Sequence, residues 1–257
     1  MSPNLKCPRT RLYIKQAFIS GADIFLDEKQ THYLANVLRQ QAGNSLVVFN
    51  GEDGEWIAKI AFLNKKRVTL ILQKQLRSQK NAPDLWLLAA PLRSGKTETV
   101  IEQATELGIS RFIPVSTQFT VASRINQERL VSVAIEASEQ CERMDIPCIE
   151  SMTSFQDLIA RWNPDRTIIY GDESGAGKQP DELFPHLTNG KYAMLIGPEG
   201  GFSSSELELL RKAKYALGMC MGPRIMRAPT AAIAAITLIQ SRFGDWDNKP
   251  AFRNIEN

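Results

Sequence analysis

Short apolar runs separated by turns fill the first third of the chain. Runs typical of strands occur at 12–14, 45–49, 56–60 and 68–72. The segment 50–54 carries two glycines and two acidic residues, which predicts a hairpin between the second and third runs. One helix is expected at about 29–38, where apolar residues recur one turn apart. This many short strands in so few residues predicts a small β-barrel.

The pattern changes after the polar segment 78–83, which ends in proline. Continuous apolar strands are predicted at 85–90, 111–115, 167–170, 192–196 and 217–221. Helices are predicted at about 96–107, at 127–143, from 203 onward and at 229–240. Apolar strands that alternate with helices indicate a parallel sheet covered on both faces. The predicted fold class is therefore α/β, with a small N-terminal barrel at 1–80 and a parallel-sheet domain at 81–257.

Composition narrows the class of protein. Of the 257 residues, 43% are hydrophobic and 23% are charged, which is ordinary for a soluble globular protein. The longest apolar stretch, 228–239, is shorter than the roughly 20 residues that cross a bilayer. The basic N-terminal segment lacks the apolar core of a secretory signal. Four cysteines and two histidines without Cys-x-x-Cys spacing argue against a zinc site or a disulfide framework. We therefore expect a cytoplasmic protein with reduced thiols, no metal and no membrane partner.

Positive charge is concentrated in the first third of the chain, although the net charge is only +3. Residues 1–80 hold 13 Lys and Arg against 6 Asp and Glu, whereas the remaining residues hold 18 against 22. This imbalance predicts a polyanion-binding module beside a separate site. The Lys-Lys-Arg turn at 65–67 is equally compatible with an ordinary solvated turn, so charge alone leaves both interpretations open.

Two glycine-proline turns are the strongest candidates for a ligand site. Leu-Ile-Gly-Pro-Glu-Gly-Gly-Phe at 195–202 and Met-Gly-Pro-Arg-Ile-Met-Arg at 221–227 each follow a predicted strand and precede a predicted helix. Open α/β sheets bind ligands at the carboxyl ends of their strands, and glycine lets backbone approach a ligand closely. Neither core packing nor turn chemistry requires Glu199, Arg224 or Arg227. The two turns therefore predict one pocket built mainly from main chain.

Other common ligand motifs are incomplete. Gly95-Lys96-Thr97 resembles the end of a phosphate loop, but Ala90 stands where that motif requires glycine. The segment 197–201 does not match Gly-x-Gly-x-x-Gly, and the chain has no Gly-x-Ser-x-Gly elbow. A nucleotide triphosphatase, a Rossmann dinucleotide site and a serine triad are therefore disfavoured.

The two turns, followed by an alanine-rich helix, resemble the SPOUT class of methyltransferases. Within that class the chain is similar to the bacterial 16S ribosomal RNA (uracil-N(3))-methyltransferases, over nearly its whole length. Further residues that fit the family are 11–14, His32, 37–39, Gly43, Lys96, 106–108, Glu139, Gln140 and Arg143.

The resemblance implies a PUA-like RNA-binding barrel followed by a SPOUT domain with a trefoil knot. It implies a homodimer whose site takes residues from both subunits. It also implies methylation of a uridine at ring nitrogen 3 in 16S ribosomal RNA or the 30S subunit. S-adenosylmethionine would be held by Leu195, Ile196, Gly197, Pro198, Glu199, Gly200, Gly201 and Phe202, and by Met221, Gly222, Pro223, Arg224, Ile225 and Met226.

The catalytic candidates are Arg227, Arg224 and Glu199. A uracil ring nitrogen is a poor nucleophile while protonated, so we expect an arginine, Arg227 or Arg224, to stabilise the imide anion. Glu199 is expected to orient an arginine or to accept a proton, and the sequence does not decide between these roles. The family usually has an acidic residue two positions after the arginine matching Arg227. Here that position is Pro229, so any role of this carboxylate is lost or moved.

Basic residues of the first third are candidate RNA-phosphate contacts on charge and family analogy. They are Arg9, Arg11, Lys15, Arg39, Lys65, Lys66 and Arg67, with Arg143 added by the resemblance. Gln140 and Arg143 are expected near the dimer interface or the substrate cleft. Two alternatives stay open: a methyltransferase acting on another RNA or on ribose, and a non-catalytic RNA-binding protein of the same fold.

Overall fold

The structure is a computed structural model in which residues 8–93, 95–122, 124–188 and 190–249 are described. The chain divides into two compact units. The first holds the described residues up to Asn81 together with Glu139–Asp145, and the second holds Ala82–Ser138 and Ile146–Lys249. That these units correspond to independent domains at 1–80 and 81–257 stays a prediction.

The first unit contains a five-stranded mixed sheet. Its strands are β1 (Arg11–Tyr13), β2 (Asp23–Phe25), β3 (Ser45–Phe49), β4 (Glu55–Leu63) and β5 (Val68–Arg77), in the order β1-β3-β4-β5-β2. Three register shifts interrupt the β4–β5 ladder and curl the sheet. The PUA-like fold predicted for this region is confirmed. Among the described residues no ladder joins β1 to β2, so the sheet keeps two edges instead of closing fully.

A short helical segment packs against the apolar core of this sheet. The predicted helix is α1 (Glu28–His32), which continues as a π-helical turn at Tyr33–Val37. Asp27 and Gln30 form a capping box at its start. Leu34 is fully buried and belongs to the apolar core between the strands. Strand β2 was not predicted, because only Ile24 of its three residues is buried.

The second unit is a seven-stranded parallel sheet with helices. The strands are β6 (Leu85–Ala89), β7 (Arg111–Ser116), β8 (Cys148–Ile149), β9 (Thr153–Ser154), β10 (Thr167–Gly171), β11 (Tyr192–Ile196) and β12 (Ala216–Met219). Their order is β12-β10-β11-β6-β7-β8, and β9 also pairs with β7. The helices are α2 (Lys96–Glu106), α3 (Gln127–Cys141), α4 (Phe155–Ala160), α5 (Pro180–Leu183), α6 (Ser204–Lys212) and α7 (Ala228–Phe243).

Helices cover both faces of the parallel sheet, as the apolar strands predicted. Leu85 and Leu87 pack in a core with residues of α2, α3 and α7. Leu88, on the opposite face, packs with residues of α4 and α6. This alternation follows the two-residue period of a strand. The α/β fold is confirmed, whereas the trefoil knot stays a prediction. None of the helices in the described parts of the chain is long and apolar enough to span a membrane.

A buried ion network lies in the first unit. The Glu55 carboxylate is fully buried and accepts Arg11 Nε at 2.7 Å and Arg77 Nε at 2.6 Å. The Arg11 guanidinium lies 3.7 Å from the centroid of the Phe49 ring. Arg11 Nη2 also donates to the carbonyl of Arg143 at 2.5 Å. The network therefore holds the segment that follows α3 against the curled sheet.

Burial and the two arginines act in opposite directions on Glu55. Burial, the largest single effect, raises the pKa of Glu55, but the hydrogen bonds and charges of Arg77 and Arg11 together outweigh it and lower that pKa below its ordinary value. The ionised form is therefore the one that the folded state favours.

Replacement of Glu55 by Gln should destabilise the protein by about 3 kcal/mol, because it leaves buried Arg11 without a compensating charge. The measurement is the free energy of unfolding in urea at neutral pH. Glu52→Gln is the matched control, since Glu52 is exposed in the same hairpin, and should change stability by less than about 0.5 kcal/mol. Equal effects of the two variants would contradict this account.

The same pair of variants gives a pH prediction. A carboxylate whose folded pKa is lowered contributes stability above its unfolded pKa, and this contribution is lost as the pH falls through the folded pKa. The stability difference between the wild type and Glu55→Gln should therefore shrink as the pH falls below the ordinary glutamate value of 4.5. A difference that grows in acid would be the opposite result.

Candidate active site

Three loops from neighbouring strands enclose one cavity of about 520 Å³ in the second unit. Strands β12, β10 and β11 are adjacent and parallel, so their carboxyl ends lie at the same edge of the sheet. The loops that follow β10, β11 and β12 all contribute to the lining. This is the edge at which open α/β sheets bind ligands.

Most of the predicted cofactor residues line this cavity. They are Ile196, Gly197, Pro198, Gly201, Phe202, Met221, Gly222, Pro223, Arg224, Ile225 and Met226. Leu195 lies instead in the core of the sheet, where it is fully buried. Glu199 is half-exposed, and its carboxylate lies 3.8 Å from Lys96 Nζ. A Cβ added at Gly200 would meet the side chain of Phe119. The two glycine turns thus meet at one cavity, and three of the fourteen predicted cofactor residues lie outside its lining.

Gly201 occupies a position that favours glycine. Its φ is +70°, a left-handed conformation that L side chains rarely adopt, and an added Cβ would overlap the carboxylate of Glu173. Gly222 has φ of +96° with open space around it, so there the backbone conformation alone favours glycine. These positions explain why both turns contain glycine next to the cavity.

A capping box fixes the end of the first turn. Ser203 Oγ accepts from the backbone N–H of Glu206, and Glu206 Oε2 accepts from the backbone N–H of Ser203 at 2.8 Å. Ser203 and Glu206 therefore form a capping box at the start of α6. Glu206 is buried, and its second oxygen accepts from the backbone N–H of Gln118 at 2.8 Å. The turn is thus held to α6 and to the segment after β7.

The loop after β10 was not predicted as part of the site. It contributes Asp172 and Glu173 to the cavity lining. Asp172 is buried, and its Oδ1 accepts from Ser174 N at 2.9 Å and from Ser174 Oγ at 2.6 Å. The available signal was the run Gly-Asp-Glu-Ser-Gly-Ala-Gly at 171–177, three glycines directly after a predicted strand.

The charge of Asp172 also affects its neighbours. Arg211 Nη2 lies 3.8 Å from Asp172 Oδ2. Burial, and to a smaller extent the Asp172 carboxylate, raise the pKa of Tyr170, while Arg211 acts in the opposite direction. The Tyr170 hydroxyl therefore remains protonated at neutral pH.

The cavity combines apolar walls with these carboxylates. Ile196, Phe202, Leu207, Met219 and Met221 supply apolar lining, and Asp172 and Glu173 supply acceptors. Among the described residues no group of His, Cys, Asp or Glu has the arrangement of a metal site. The lining suits an organic ligand that carries hydroxyl groups or a positive charge.

The two candidate catalytic arginines differ in position. Arg224 is exposed and lines the cavity, whereas Arg227 is exposed at the N-terminus of α7 and is outside the lining. Within the described parts of the chain, neither guanidinium makes an ion pair or a hydrogen bond. Pro229 lies in the first turn of α7, a position that suits proline.

The candidate RNA contacts fall into two groups. Arg9, Lys15, Arg39, Lys65, Lys66 and Arg67 are exposed. Arg11 is only 5% exposed and pairs with Glu55, so its guanidinium is occupied inside the first unit. Arg143 is mostly buried, and its Nε donates to Asp145 at 3.0 Å. The exposed group is therefore the one that phosphates can reach.

A parallel sheet with three ligand loops at one edge defines an α/β protein that binds an organic cofactor or substrate. The family profile described as an RNA methyltransferase domain matches residues 79–240, and one described as an RNA methyltransferase PUA domain matches residues 26–73. The chain belongs to this RNA methyltransferase family, which confirms the resemblance seen in the two glycine turns.

Curated relatives carry the same family assignment. The chain is 34% identical over 234 residues to the ribosomal RNA small subunit methyltransferase E of Rickettsia conorii, covering 90% of this chain and 94% of the relative. It is 30% identical over 250 residues to the protein of the same name from Buchnera aphidicola, covering 91% of this chain and 97% of the relative.

Two solved structures are similar over most of the chain. A methyltransferase from Legionella pneumophila, solved with bound S-adenosylmethionine, has a TM-score of 0.82 and 27% identity, covering 92% of this chain and 98% of that chain. A ribosomal RNA small subunit methyltransferase E from Neisseria gonorrhoeae has a TM-score of 0.83 at 21% identity, covering 92% and 99%. The latter comparison shows the fold alone.

Gly201→Ala should weaken S-adenosylmethionine binding about tenfold, because the new Cβ displaces the Glu173 carboxylate from its place in the cavity lining. Gly175→Ala is the matched control, since Gly175 also has a left-handed φ, of +80°, and also lines the cavity, but nothing lies within 4 Å of its added Cβ. Calorimetric titration measures both affinities, with melting curves to confirm folding. Equal losses in the two variants would mean that backbone strain, not overlap, is responsible.

Proposed function

We propose that this chain methylates a uridine of 16S ribosomal RNA at ring nitrogen 3, with S-adenosylmethionine as methyl donor. The observation that carries the proposal is the meeting of the two glycine turns at one cavity in a member of the RNA methyltransferase family. The names of the relatives support a ribosomal small-subunit substrate, and the resemblance of the turns supports the nitrogen as the acceptor.

The cavity fits the proposed cofactor. Its volume of about 520 Å³ lies in the usual range of roughly 300–1,000 Å³ for small-molecule sites. Backbone groups of the two turns can hydrogen-bond an adenine ring, and Asp172 and Glu173 can accept from ribose hydroxyls or face a positive charge. When bound, S-adenosylmethionine supplies an electrophilic methyl group, so the residues of this chain need mainly to position the two reactants.

Two arginines supply the electrostatic part of the mechanism. Loss of the uracil N3 proton leaves a negative charge spread over the flanking carbonyl oxygens, and a guanidinium stabilises that charge. Arg224 lines the cavity, Arg227 follows three residues later, and neither is engaged by a carboxylate among the described residues. Arg227 is proposed to contact the base, and Arg224 to contact the base or the cofactor.

Glu199 keeps two possible roles. Its carboxylate is half-exposed and 3.8 Å from Lys96, so it can accept a proton from the base or orient a cation. Pro229 replaces the acidic residue usual in the family and cannot take either role. Asp172, Glu173 and Glu199 supply the carboxylates of the described loops at this site. Pro229 is also the observation that favours the alternative function, a non-catalytic RNA-binding protein of the same fold.

The RNA would be held by the exposed cations of the first unit. Lys15, Arg39, Lys65, Lys66 and Arg67 are proposed as phosphate contacts, together with Arg9. Arg11 and Arg143 are not included, because Arg11 is buried with Glu55 and the Arg143 side chain is mostly buried beside Asp145. We further propose that the enzyme acts in the cytoplasm as a homodimer whose site takes residues from both subunits.

The reaction is tested by nucleoside mass spectrometry of 16S ribosomal RNA from cells that lack this chain. One 3-methyluridine should be missing and should return when the wild-type chain is supplied. Loss of a methyl group from ribose or from another RNA would instead support the alternative substrates, and unchanged RNA would support the non-catalytic alternative.

Arg227→Ala should abolish methyl transfer while S-adenosylmethionine binding persists, because the arginine is proposed to act on the base. Arg242→Ala is the matched control, since Arg242 is an exposed arginine in the last turn of the same helix. Methyl incorporation into RNA and calorimetric cofactor binding are measured for both. Retained activity in Arg227→Ala would remove this residue from the mechanism.

Neutralising Lys15, Lys65 and Lys66 together should weaken RNA binding and reduce the salt dependence of log K by about two, at roughly 0.7 for each phosphate contact with a single strand. The measurement is the RNA dissociation constant at several salt concentrations. Lys212→Gln in α6 is a control, since this lysine is already paired with Glu208. An unchanged salt slope in the triple variant would refute these contacts.

A further inference from the structure

The outer face of strands β2, β4 and β5 carries exposed aromatic side chains. Phe25 in β2 pairs with Thr69 in β5, and Thr69 pairs with Phe62 in β4. Phe25 and Phe62 are 50% and 48% exposed. Thr69 is buried, as expected for a small residue between two rings. The three residues form one row across the sheet.

A second row lies beside the first. Ile71 in β5 pairs with Asp23 in β2 and with Lys59 in β4. All three are exposed, Ile71 by 38%. Paired residues of an antiparallel sheet share a face, and side chains alternate along β2 and β5, so both rows lie on the face opposite the buried residues Ile24 and Leu70. In β4 the register shift between Ile60 and Phe62 interrupts this alternation, so Phe62 is exposed beside Thr69 although Ile60, two residues earlier, is buried. We name the two rows, together with Arg67, the outer sheet face.

Cations surround this face. The Arg67 guanidinium lies 5.0 Å from the centroid of the Phe25 ring. The turn that carries Arg67 is fixed by Asn64 Oδ1, which accepts from Lys66 N at 2.8 Å and from Arg67 N at 2.7 Å. Among the residues described in the structure, Lys59, Lys65, Lys66 and Arg67 form no ion pair. Asp23 is the acidic residue of the two rows.

This combination selects one kind of partner. Half-exposed phenyl rings on a sheet are unfavourable in water and mark an interaction site. A purely apolar partner would leave the cations of Lys59, Lys65 and Arg67 without counter-charges, whereas a nucleic acid strand supplies both flat rings and phosphates. Sheets that bind single-stranded RNA use exposed aromatic side chains in this way.

We propose that the outer sheet face binds unpaired bases of the RNA substrate by stacking on Phe25 and Phe62. The Arg67 guanidinium extends the stack beside Phe25, and Lys59, Lys65 and Lys66 contact the phosphates of the same strand. Stacking of this kind tolerates any base, so the face holds the strand and does not read its sequence. The proposal rests on the proposed RNA methyltransferase function. It adds that the first unit binds the RNA substrate where its bases are unpaired.

The test compares side chains that keep the ring with side chains that keep only apolar area. Phe25→Leu/Phe62→Leu should weaken binding of a single-stranded oligouridylate of about 16 nucleotides by roughly tenfold for each ring lost. Phe25→Trp/Phe62→Trp should bind at least as tightly as the wild type. Trp246→Leu removes a similarly exposed ring, 46% accessible, from the second unit and should change nothing.

Salt dependence and duplex RNA separate stacking from charge. Stacking releases no counterions, so the double Leu variant should keep the wild-type salt slope, whereas neutralised lysines reduce it. Affinity for the same length of duplex RNA should be unchanged, because paired bases cannot stack on the face. Circular dichroism and melting curves verify that each variant is folded.

Two binding results would overturn the proposal: wild-type affinity for single strands in the double Leu variant, or equal losses of affinity for single-stranded and duplex RNA. A change in oligomeric mass alone would also overturn it, because the face would then bind a second copy of the chain. Methyl incorporation by the wild-type protein is measured in parallel. If it occurs while the Leu variants bind normally, only the outer sheet face fails, and if it is absent the proposed function fails by itself.

Discussion

The site depends on one constraint, the adjacency of three parallel strands whose loops are far apart in the sequence. Strands β12, β10 and β11 end at the same edge of the sheet, so the loops after residues 171, 196 and 219 enclose a single cavity. Crowding at this edge explains the glycines, because a Cβ at Gly201 would overlap Glu173 and one at Gly218 would lie 3.0 Å from the Tyr170 ring. The cavity is thus a consequence of strand order, and the residues of the loops supply its chemical groups.

Arginine has a different role in each unit. In the first unit Glu55 joins Arg11 and Arg77 and holds the segment after α3, so these arginines are structural. In the second unit Arg224 and Arg227 are exposed beside the cavity, so their charge is available to a ligand. The same residue type therefore stabilises one unit and is proposed to act on the substrate in the other.

The sequence predicted the parts of the fold with a strong local pattern. The strands around Leu87 and Met194 are continuous apolar runs, and Ser203 with Glu206 is a local capping signature, so both were predictable. The burial of Arg11 was not predictable, because its partner Glu55 is 44 residues away in the sequence. The residue type alone does not indicate whether a basic side chain is buried or exposed. The contribution of Asp172 was missed because a glycine-containing loop after a strand does not by itself indicate that its side chains line a site. Strand pairing, which local patterns do not reveal, brought these residues together.

The two glycine turns are proposed to hold S-adenosylmethionine for transfer of its methyl group to a uridine of the small-subunit RNA. The most direct measurement incubates the purified protein with labelled S-adenosylmethionine and 30S subunits from cells lacking the chain, followed by nucleoside analysis. The account predicts label in 3-methyluridine from 16S ribosomal RNA and in no other nucleoside. Label in another nucleoside, or none despite cofactor binding, would contradict it.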